Sequence, residues 1–397
     1  MKKGMASAGL TLAMMWIAHF LVDVMIGFWS VYKTISGVDL AIAGLIAGIC
    51  PFIGEGMQLL FGSIGDRGYR KQLFLFGVAA TGVSSLLPLY ESYFYFFLIF
   101  LLTCIGSGAF HPTAVAITSG LTQKRKGLLI TIFASGGALG LALSHMIFSL
   151  WYLHFQFSTA WLILPALVLV LYTATKTMPG ASDRPAQAGR RYGFEALRKL
   201  FGYRDLRVLY FSQVCIQSIY WGMMFLLPDV LTSKGYPAWM CFGVGHFVYI
   251  IGGAFMMIPG GYLSDRFSAR SVLLVSSTMG CALFYLFLLT PYLSIPAALI
   301  LLALTGASLG MANPVAVALG NKIMPSRPGL VSAFLMGMVW CVAEWLGPGG
   351  GGLLTKLFSE NAPTFALSTL GLLFCVGTAL TALLPSTVDQ EFELDLA

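Results

Sequence analysis

The sequence predicts an all-α polytopic membrane protein with twelve transmembrane helices arranged as two six-helix repeats. Hydrophobic residues make up 58% of the 397 residues and charged residues only 10%, whereas a soluble domain is about 25% charged. The apolar stretches are long enough for the roughly 20 residues that one bilayer crossing needs. Backbone N–H and C=O groups in lipid must be paired internally, and these stretches are continuous instead of alternating, so they predict helices.

Twelve apolar spans can be delimited along the chain. They cover residues 7–32, 38–64, 72–90, 93–121, 127–153, 157–178, 206–232, 237–264, 270–290, 294–321, 328–357 and 362–385. We expect an N-terminal six-helix bundle at 1–178, a cytoplasmic linker at 179–205, and a C-terminal six-helix bundle with a short acidic tail at 206–397. The first apolar stretch carries Asp23 and continues to Tyr32, so we expect a retained span and not a cleaved signal peptide.

The distribution of Lys and Arg predicts the orientation in the membrane. With the N-terminus inside, twenty of these residues fall on the inner side and three, Lys33, Lys234 and Lys356, on the outer side. Cationic loops are retained on the cytoplasmic side. We therefore expect a multi-pass protein of a bacterial-type inner (plasma) membrane with both termini in the cytoplasm. The same placement accounts for the net charge of +7 without a nucleic-acid partner.

Similar motifs recur in the two halves at a nearly constant offset. Asp66-Arg67 follows span 2, and Asp265-Arg266 follows span 8, 199 residues later. His111-Pro112 in span 4 corresponds to Asn313-Pro314 in span 10 at an offset of 202, and Lys33 corresponds to Lys234 at 201. The chain is therefore predicted to be a duplicated six-helix unit. Repeats with a solute site between them at the midplane are typical of rocking transporters.

The residues after span 2 resemble the signature of the major facilitator superfamily, Gly-x-x-x-Asp-Arg-x-Gly-Arg-Lys. Here the string reads Gly62-Ser-Ile-Gly-Asp66-Arg67-Gly68-Tyr-Arg70-Lys71, with the second glycine one place earlier. The resemblance covers essentially the whole chain. It implies a twelve-helix secondary transporter that works by alternating access.

A narrower resemblance is to the fosmidomycin-resistance-like exporters. It rests on the strings 18–23 (Ala-His-Phe-Leu-Val-Asp), 108–112 (Gly-Ala-Phe-His-Pro) and 135–140 (Ser-Gly-Gly-Ala-Leu-Gly). It implies a proton-coupled exporter. The Gly-Pro-x-x-Gly-Gly string that many drug antiporters carry in span 5 stands here in span 11, at 347–352, so it adds little support for antiport.

Ionisable residues at membrane depth are the candidate proton-coupling groups, because each costs about 3 kcal/mol or more to insert. Asp23 lies within span 1 and His19 precedes it by four residues, on the same helical face. A carboxylate there could load and release a proton, with His19 tuning it. Glu55 and Glu344 are two further candidates. The alternative for Asp23 is a structural hydrogen bond to a neighbouring helix, and the alternative for Glu55 is helix packing near Pro51. Glu344 could instead contact a cationic solute beside Trp340.

Polar and aromatic residues at equivalent depths in the two halves are the candidate substrate-binding groups. Trp16 continues the stripe of His19 and Asp23, and the 201-residue offset places Gln217 and Tyr220 on the corresponding face of span 7. His111 and Asn313 each precede a proline that bends the helix. Helix-to-helix hydrogen bonds and capped helix breaks are the alternatives. The full candidate set is Trp16, His111, Gln213, Gln217, Tyr220, Asn313 and Trp340.

Charged residues at the inner boundary are the candidate gate. They are Asp66, Arg67, Arg70, Asp265 and Arg266. An aspartate at a helix end beside cations can form an inter-helix clasp, and breaking the clasp would permit rocking. The alternative is anchoring at the membrane interface.

Other chemistry is not indicated by the sequence. No phosphate-binding loop of the Walker type occurs, and no nucleophile–base pair is recognisable, so we expect no enzyme activity and no cofactor. No metal cluster has convincing spacing: His19, His111 and His145 lie on different spans. The seven cysteines all lie in apolar stretches, as buried reduced residues do.

Three functional hypotheses follow. The first is proton-coupled efflux of a small polar or amphipathic molecule by a monomer, with protons and the lipid bilayer as its other partners. The second is proton-coupled or facilitated uptake of a small organic nutrient or metallophore. The third is a non-transporting membrane receptor or scaffold, which would not need matched polar residues in both halves.

Overall fold

A computed structural model describes residues 7–122, 126–176, 198, 200–326 and 328–385. Within these ranges the chain consists of helices and short connections and contains no β-strand. Most of the expected linker at 179–205, the acidic tail and several of the inner-side cations, among them Lys2, Lys3, Lys124 and Arg125, lie outside the described residues.

Twelve helical spans follow one another along the chain. The first six are α1 (Ala8–Ile35), α2 (40–64), α3 (70–89), α4 (Tyr93–Ser119), α5 (Lys126–Phe155) and α6 (Ser158–Ala174). The second six are α7 (Arg204–Ser233), α8 (Met240–Arg266), α9 (Ala269–Leu289), α10 (Ile295–Ile323), α11 (Leu330–Leu357) and α12 (Ala362–Ala382).

The lengths of these helices agree with twelve crossings. In the part of the chain that the structure describes, ten continuous helical stretches are long and apolar enough to cross a membrane, and one of them, Leu40–Leu89, has 50 residues. At 1.5 Å per residue it would extend about 75 Å, more than twice the roughly 30 Å of a hydrocarbon core, so it makes two crossings as α2 and α3. The shorter apolar helix α6 makes the twelfth. The predicted all-α, twelve-helix architecture is confirmed.

The chain divides into two compact units. The first comprises 1–37 and 49–191, and the second 38–48 and 192–397. In the first unit α1 packs along α5 and also contacts α3 and α4, around a core that includes Met15, Val22, Phe74, Phe110 and Phe133. In the second unit α7 is the most buried span and packs against α10, α11 and α12.

A cation in the first turn of the third helix of each repeat donates hydrogen bonds to the end of the sixth helix. Lys71 Nζ donates to the carbonyls of Ala174 and Lys176, at 2.7 and 2.8 Å, at the end of α6. At the equivalent position 199 residues later, Arg270 donates to the carbonyl of Ala382, at 2.7 Å, at the end of α12. The last carbonyls of a helix lack intrahelical partners and carry partial negative charge. These cations therefore join the third helix of each repeat to the sixth.

Candidate functional site

Two helices of the first unit, α1 and α4, bring His19, Asp23 and His111 together. His19 Nε2 lies 3.4 Å from Asp23 Oδ2, and His111 Nε2 lies 3.4 Å from Asp23 Oδ1. The two imidazole rings meet edge to face with their centroids 5.2 Å apart. One carboxylate from α1 is thus held between an imidazole of its own helix and an imidazole of α4.

The cluster is enclosed but not sealed. His19 is buried, whereas the side chains of Asp23 and His111 retain 16% and 26% of their exposure. The ring of His19 stacks on Phe133 of α5, with centroids 4.1 Å apart. The side chains therefore lie inside the bundle while Asp23 and His111 still have an accessible edge.

Hydrogen bonds to backbone carbonyls define the orientation of both rings. His19 Nδ1 lies 2.9 Å from the carbonyl oxygen of Phe133, and His111 Nδ1 lies 3.0 Å from that of Ser107. A carbonyl can only accept, so both Nδ1 atoms carry hydrogen and donate. In the neutral rings both Nε2 atoms then present lone pairs to the Asp23 carboxylate. The arrangement becomes attractive when a proton lies between a ring nitrogen and the carboxyl group, on either of the two.

A second carboxylate is connected to this cluster through Ser107. The Ser107 hydroxyl lies 3.1 Å from His111 Nδ1 and donates to Glu55 Oε1 at 3.4 Å, and Gln58 also donates to Glu55. Glu55 interacts electrostatically with His111 and Asp23. The sequence analysis missed Ser107, although its position four residues before His111 on one helix face could have indicated it.

The glycine-rich start of α5 permits this close packing. A Cβ built on Gly137 would lie 2.3 Å from His19 Nε2 and 2.5 Å from Asp23 Oδ2, closer than any side chain could approach. Trp16, one turn before His19, instead donates to the Ser135 hydroxyl on α5 at 3.1 Å and stacks on Phe20.

The candidate residues of the second unit cluster around α7. Gln213, Gln217, Asn313 and Glu344 are buried, and the ring of Tyr220 stacks on Tyr249 at 5.4 Å. Trp340 meets Trp221 of α7 edge to face, with centroids 6.1 Å apart. Trp221 was missed by the sequence analysis, although it lies four residues after Gln217.

Several buried polar atoms of this group have no hydrogen-bond partner among the residues that the structure describes. They are Gln213 Oε1, Asn313 Oδ1, Trp221 Nε1 and Trp340 Nε1. Unpaired buried polar atoms cost about 1–3 kcal/mol each. Two acceptors and two donors of the second unit therefore have unused hydrogen-bonding capacity.

The candidate gate residues lie in local and inter-helix contacts. Arg70 pairs with Asp66 at 2.9 Å within one turn, and Gly68 between them adopts φ 103°, a conformation that favours glycine. The displaced glycine of the motif thus makes the turn. Asp265 pairs instead with Lys322 of α10 at 2.9 Å. Arg67 and Arg266 are exposed, and Arg266 lies over the ring of Phe267.

Comparisons with known proteins agree with this fold. The sequence profile of the Major Facilitator Superfamily matches residues 8–348 and 242–393. A bacterial homolog of the human lysosomal transporter Spinster, in an inward-facing and unoccupied conformation, superposes with a TM-score of 0.79 at 15% identity, over 94% of this chain and 96% of that one. The nucleoside transporter NupG superposes with a TM-score of 0.74 at 16% identity, over 94% and 97%. No curated protein sequence is significantly similar to the chain.

These structural similarities are at low sequence identity, so they bear on the fold alone, while the profile match covers most of the sequence. Twelve apolar helices, the repeated loop motif and the profile match lead to one conclusion. The chain belongs to the major facilitator superfamily and is a multi-pass membrane transporter.

Proposed function

We propose that this transporter couples the entry of protons to the export of a small polar or amphipathic molecule by alternating access. It would lie in the inner (plasma) membrane with both termini in the cytoplasm. The observation that carries the proposal is the Asp23 carboxylate held between His19 Nε2 and His111 Nε2. The narrower resemblance to fosmidomycin-resistance-like exporters belongs to the same proposal.

The charge arrangement supports proton coupling. Both Nδ1 atoms donate to carbonyls, so a neutral ring presents the lone pair of its Nε2 to the Asp23 carboxylate. A proton on that Nε2 replaces the lone pair with an N–H group, which makes a charge-assisted hydrogen bond to the carboxylate. Ser107 connects His111 to Glu55, which provides a second carboxylate along the same path. In this proposal a proton from outside binds to the cluster and is then released to the inside.

The second unit would bind the solute. Its unpaired amide oxygens and indole N–H groups suit a polar molecule, and the Trp221–Trp340 pair suits an apolar or planar part of the same molecule. In this cycle the solute and the proton occupy different units. The Asp66–Arg70 and Asp265–Lys322 pairs would then break and form as the transporter changes state.

Proteoliposomes that contain pyranine test both the coupling and its direction. Compounds are first selected by a thermal-shift screen of anionic, zwitterionic and cationic molecules, since a ligand stabilises the protein that it binds. Each selected compound is then added outside the vesicles. Antiport moves protons out of the lumen as the compound enters, so the lumen becomes more alkaline whichever way the protein is inserted.

Uptake by symport is the competing hypothesis, and the same assay separates it by sign. A symporter would acidify the lumen when the compound is added, and a facilitator or a scaffold would leave the lumenal pH unchanged. Asp23→Asn should abolish the alkalinisation while the compound still stabilises the protein in the thermal-shift assay. If the variant gives an unchanged pH response, Asp23 is not the coupling site.

A further inference from the structure

We propose that His19, Asp23 and His111 form a binding site for a divalent transition-metal cation such as Zn²⁺. This inference rests on the proposed function and adds a second cargo to it: besides the organic solute that binds to the second unit, the cation would be exported in exchange for protons at the same three side chains. From the sequence no metal site was expected, because His19 and His111 lie on different spans. Their convergence results from the packing of α1, α4 and α5.

The spacing of the donor atoms fits ligands around one ion. His19 Nε2 lies 3.4 Å from Asp23 Oδ2, and His111 Nε2 lies 3.4 Å from the other oxygen, Asp23 Oδ1. One ligand atom from each of the three residues lies within 4.8 Å of the other two. Ligands bonded at about 2.0–2.1 Å in tetrahedral geometry are roughly 3.3–3.4 Å apart. Direct charge-assisted N–H···O bonds are shorter, about 2.7–2.9 Å. The observed separations therefore match the edge of a coordination sphere better than a hydrogen bond.

The orientation of the imidazoles also fits metal binding. A metal-binding histidine usually donates its other ring N–H to a carbonyl or carboxylate, which orients the ring and makes the ligand nitrogen more basic. His19 does this with the carbonyl of Phe133 and His111 with that of Ser107. Both Nε2 lone pairs are thereby presented toward Asp23 without any change of rotamer or tautomer.

The helix α5 approaches the two α1 ligands closely because a glycine, Gly137, faces both of them. A methyl group added to Gly137 would lie 2.3 Å from His19 Nε2 and 2.5 Å from Asp23 Oδ2. The partial exposure of Asp23 and His111 provides a way in for a small ion. An alanine at Gly137 would occupy the space next to two of the three ligands.

The donor set indicates which cation would bind. Two imidazole nitrogens with one carboxylate suit Zn²⁺, Co²⁺, Ni²⁺ or Fe²⁺, whereas Mg²⁺ and Ca²⁺ prefer sites made of oxygen ligands alone. Two neutral imidazoles and one carboxylate leave a bound divalent ion with one net positive charge. Glu55, linked to His111 through Ser107, provides a second carboxyl group beside the site.

Cobalt binding to the purified, tag-free full-length protein in detergent tests the site directly. Co²⁺ gives a visible absorption band that is intense only when fewer than six ligands surround it, and calorimetry with Zn²⁺ gives the stoichiometry. The expected result is one ion per chain. His19→Ala, His111→Ala and Asp23→Asn should each weaken binding at least about tenfold, since even outer-shell changes at metal sites cost 10–100-fold.

Two further variants make the test specific. His154→Ala is the matched control, because this exposed histidine of α5 hydrogen-bonds to the carbonyl of Leu150 in its own helix and lies outside the cluster. The variant should bind Co²⁺ as the wild type does. Gly137→Ala should lose the band with all three ligands present. Since this change also strains α1–α5 packing, His111→Ala, at a partly exposed position, tests the same site without that strain.

The outcomes separate this inference from the proposed function. A wild-type protein that binds no Co²⁺, or His19→Ala and His111→Ala variants that bind as tightly as the wild type, would overturn the metal site, even if an organic compound still drives proton exchange. Zn²⁺ added to the pyranine vesicles should alkalinise the lumen in the wild type and not in His111→Ala. Binding of Co²⁺ without Zn²⁺-driven proton exchange would overturn the assignment of the metal as cargo.

Discussion

Replacement of Gly137 by alanine tests the packing that assembles the cluster. A Cβ there would lie 2.3 Å from His19 Nε2, whereas ordinary van der Waals contact begins at 3.4 Å, so about 1 Å of movement is required. His19 cannot turn away freely, because its Nδ1 bonds to the carbonyl of Phe133 and its ring stacks on the Phe133 ring. Overpacking of this kind costs about 1–3 kcal/mol.

Gly261→Ala is the control for this prediction. Gly261 lies in α8 with no atom within 4 Å of an added Cβ, so both variants gain the same helix propensity, about 1 kcal/mol, and only one has the clash. Equilibrium unfolding in mixed micelles with increasing SDS, followed by circular dichroism, should show Gly137→Ala about 1–3 kcal/mol less stable than Gly261→Ala. Equal stability of the two variants would refute the close approach of α1 and α5.

Three further predictions concern other parts of the chain. Lys356 beside Asp39 holds the pKa of that carboxyl below its usual value, so the stability that it contributes is present above about pH 4 and is lost as the pH falls through the lowered pKa. The free energies of unfolding of Asp39→Asn and the wild type should therefore differ by about 1 kcal/mol at most at neutral pH and become equal in acid. A difference that stays constant with pH would contradict this. Lys322→Gln removes the exposed pair with Asp265 and should change stability by less than about 1 kcal/mol, yet alter the transport rate if the pair is part of the gate; an unchanged rate would exclude that role. Trp340→Phe removes an unpaired buried N–H and should weaken binding of a selected compound up to about tenfold without loss of stability, as a thermal-shift titration would show; unchanged affinity would mean that the solute does not bond to this indole.

Much of the architecture was predictable because its causes are local in the sequence. Span lengths follow from bilayer thickness, and the matched Asp66-Arg67 and Asp265-Arg266 motifs reveal the duplication. The repeat also places Lys71 and Arg270 at equivalent positions, and the structure shows the same helix-end bonds at both. The candidate residues Asp23, His19 and His111 could be identified because an ionisable side chain within the membrane has a high free-energy cost of insertion. That cost depends on the residue type and its depth and can be read from the sequence.

The sequence by itself thus determined the number of helices, the duplication and the short set of polar residues that lie within the membrane. Only the tertiary structure decided which of them meet. His19 and Asp23 are one helical turn apart, but His111 joins them only through the packing of α4, and the Phe133 and Ser107 carbonyls that orient the rings are backbone groups without a sequence signature. Periodicity and hydropathy specify which side of a helix is polar; the distance between two helices depends on every residue in their contact, as Gly137 illustrates.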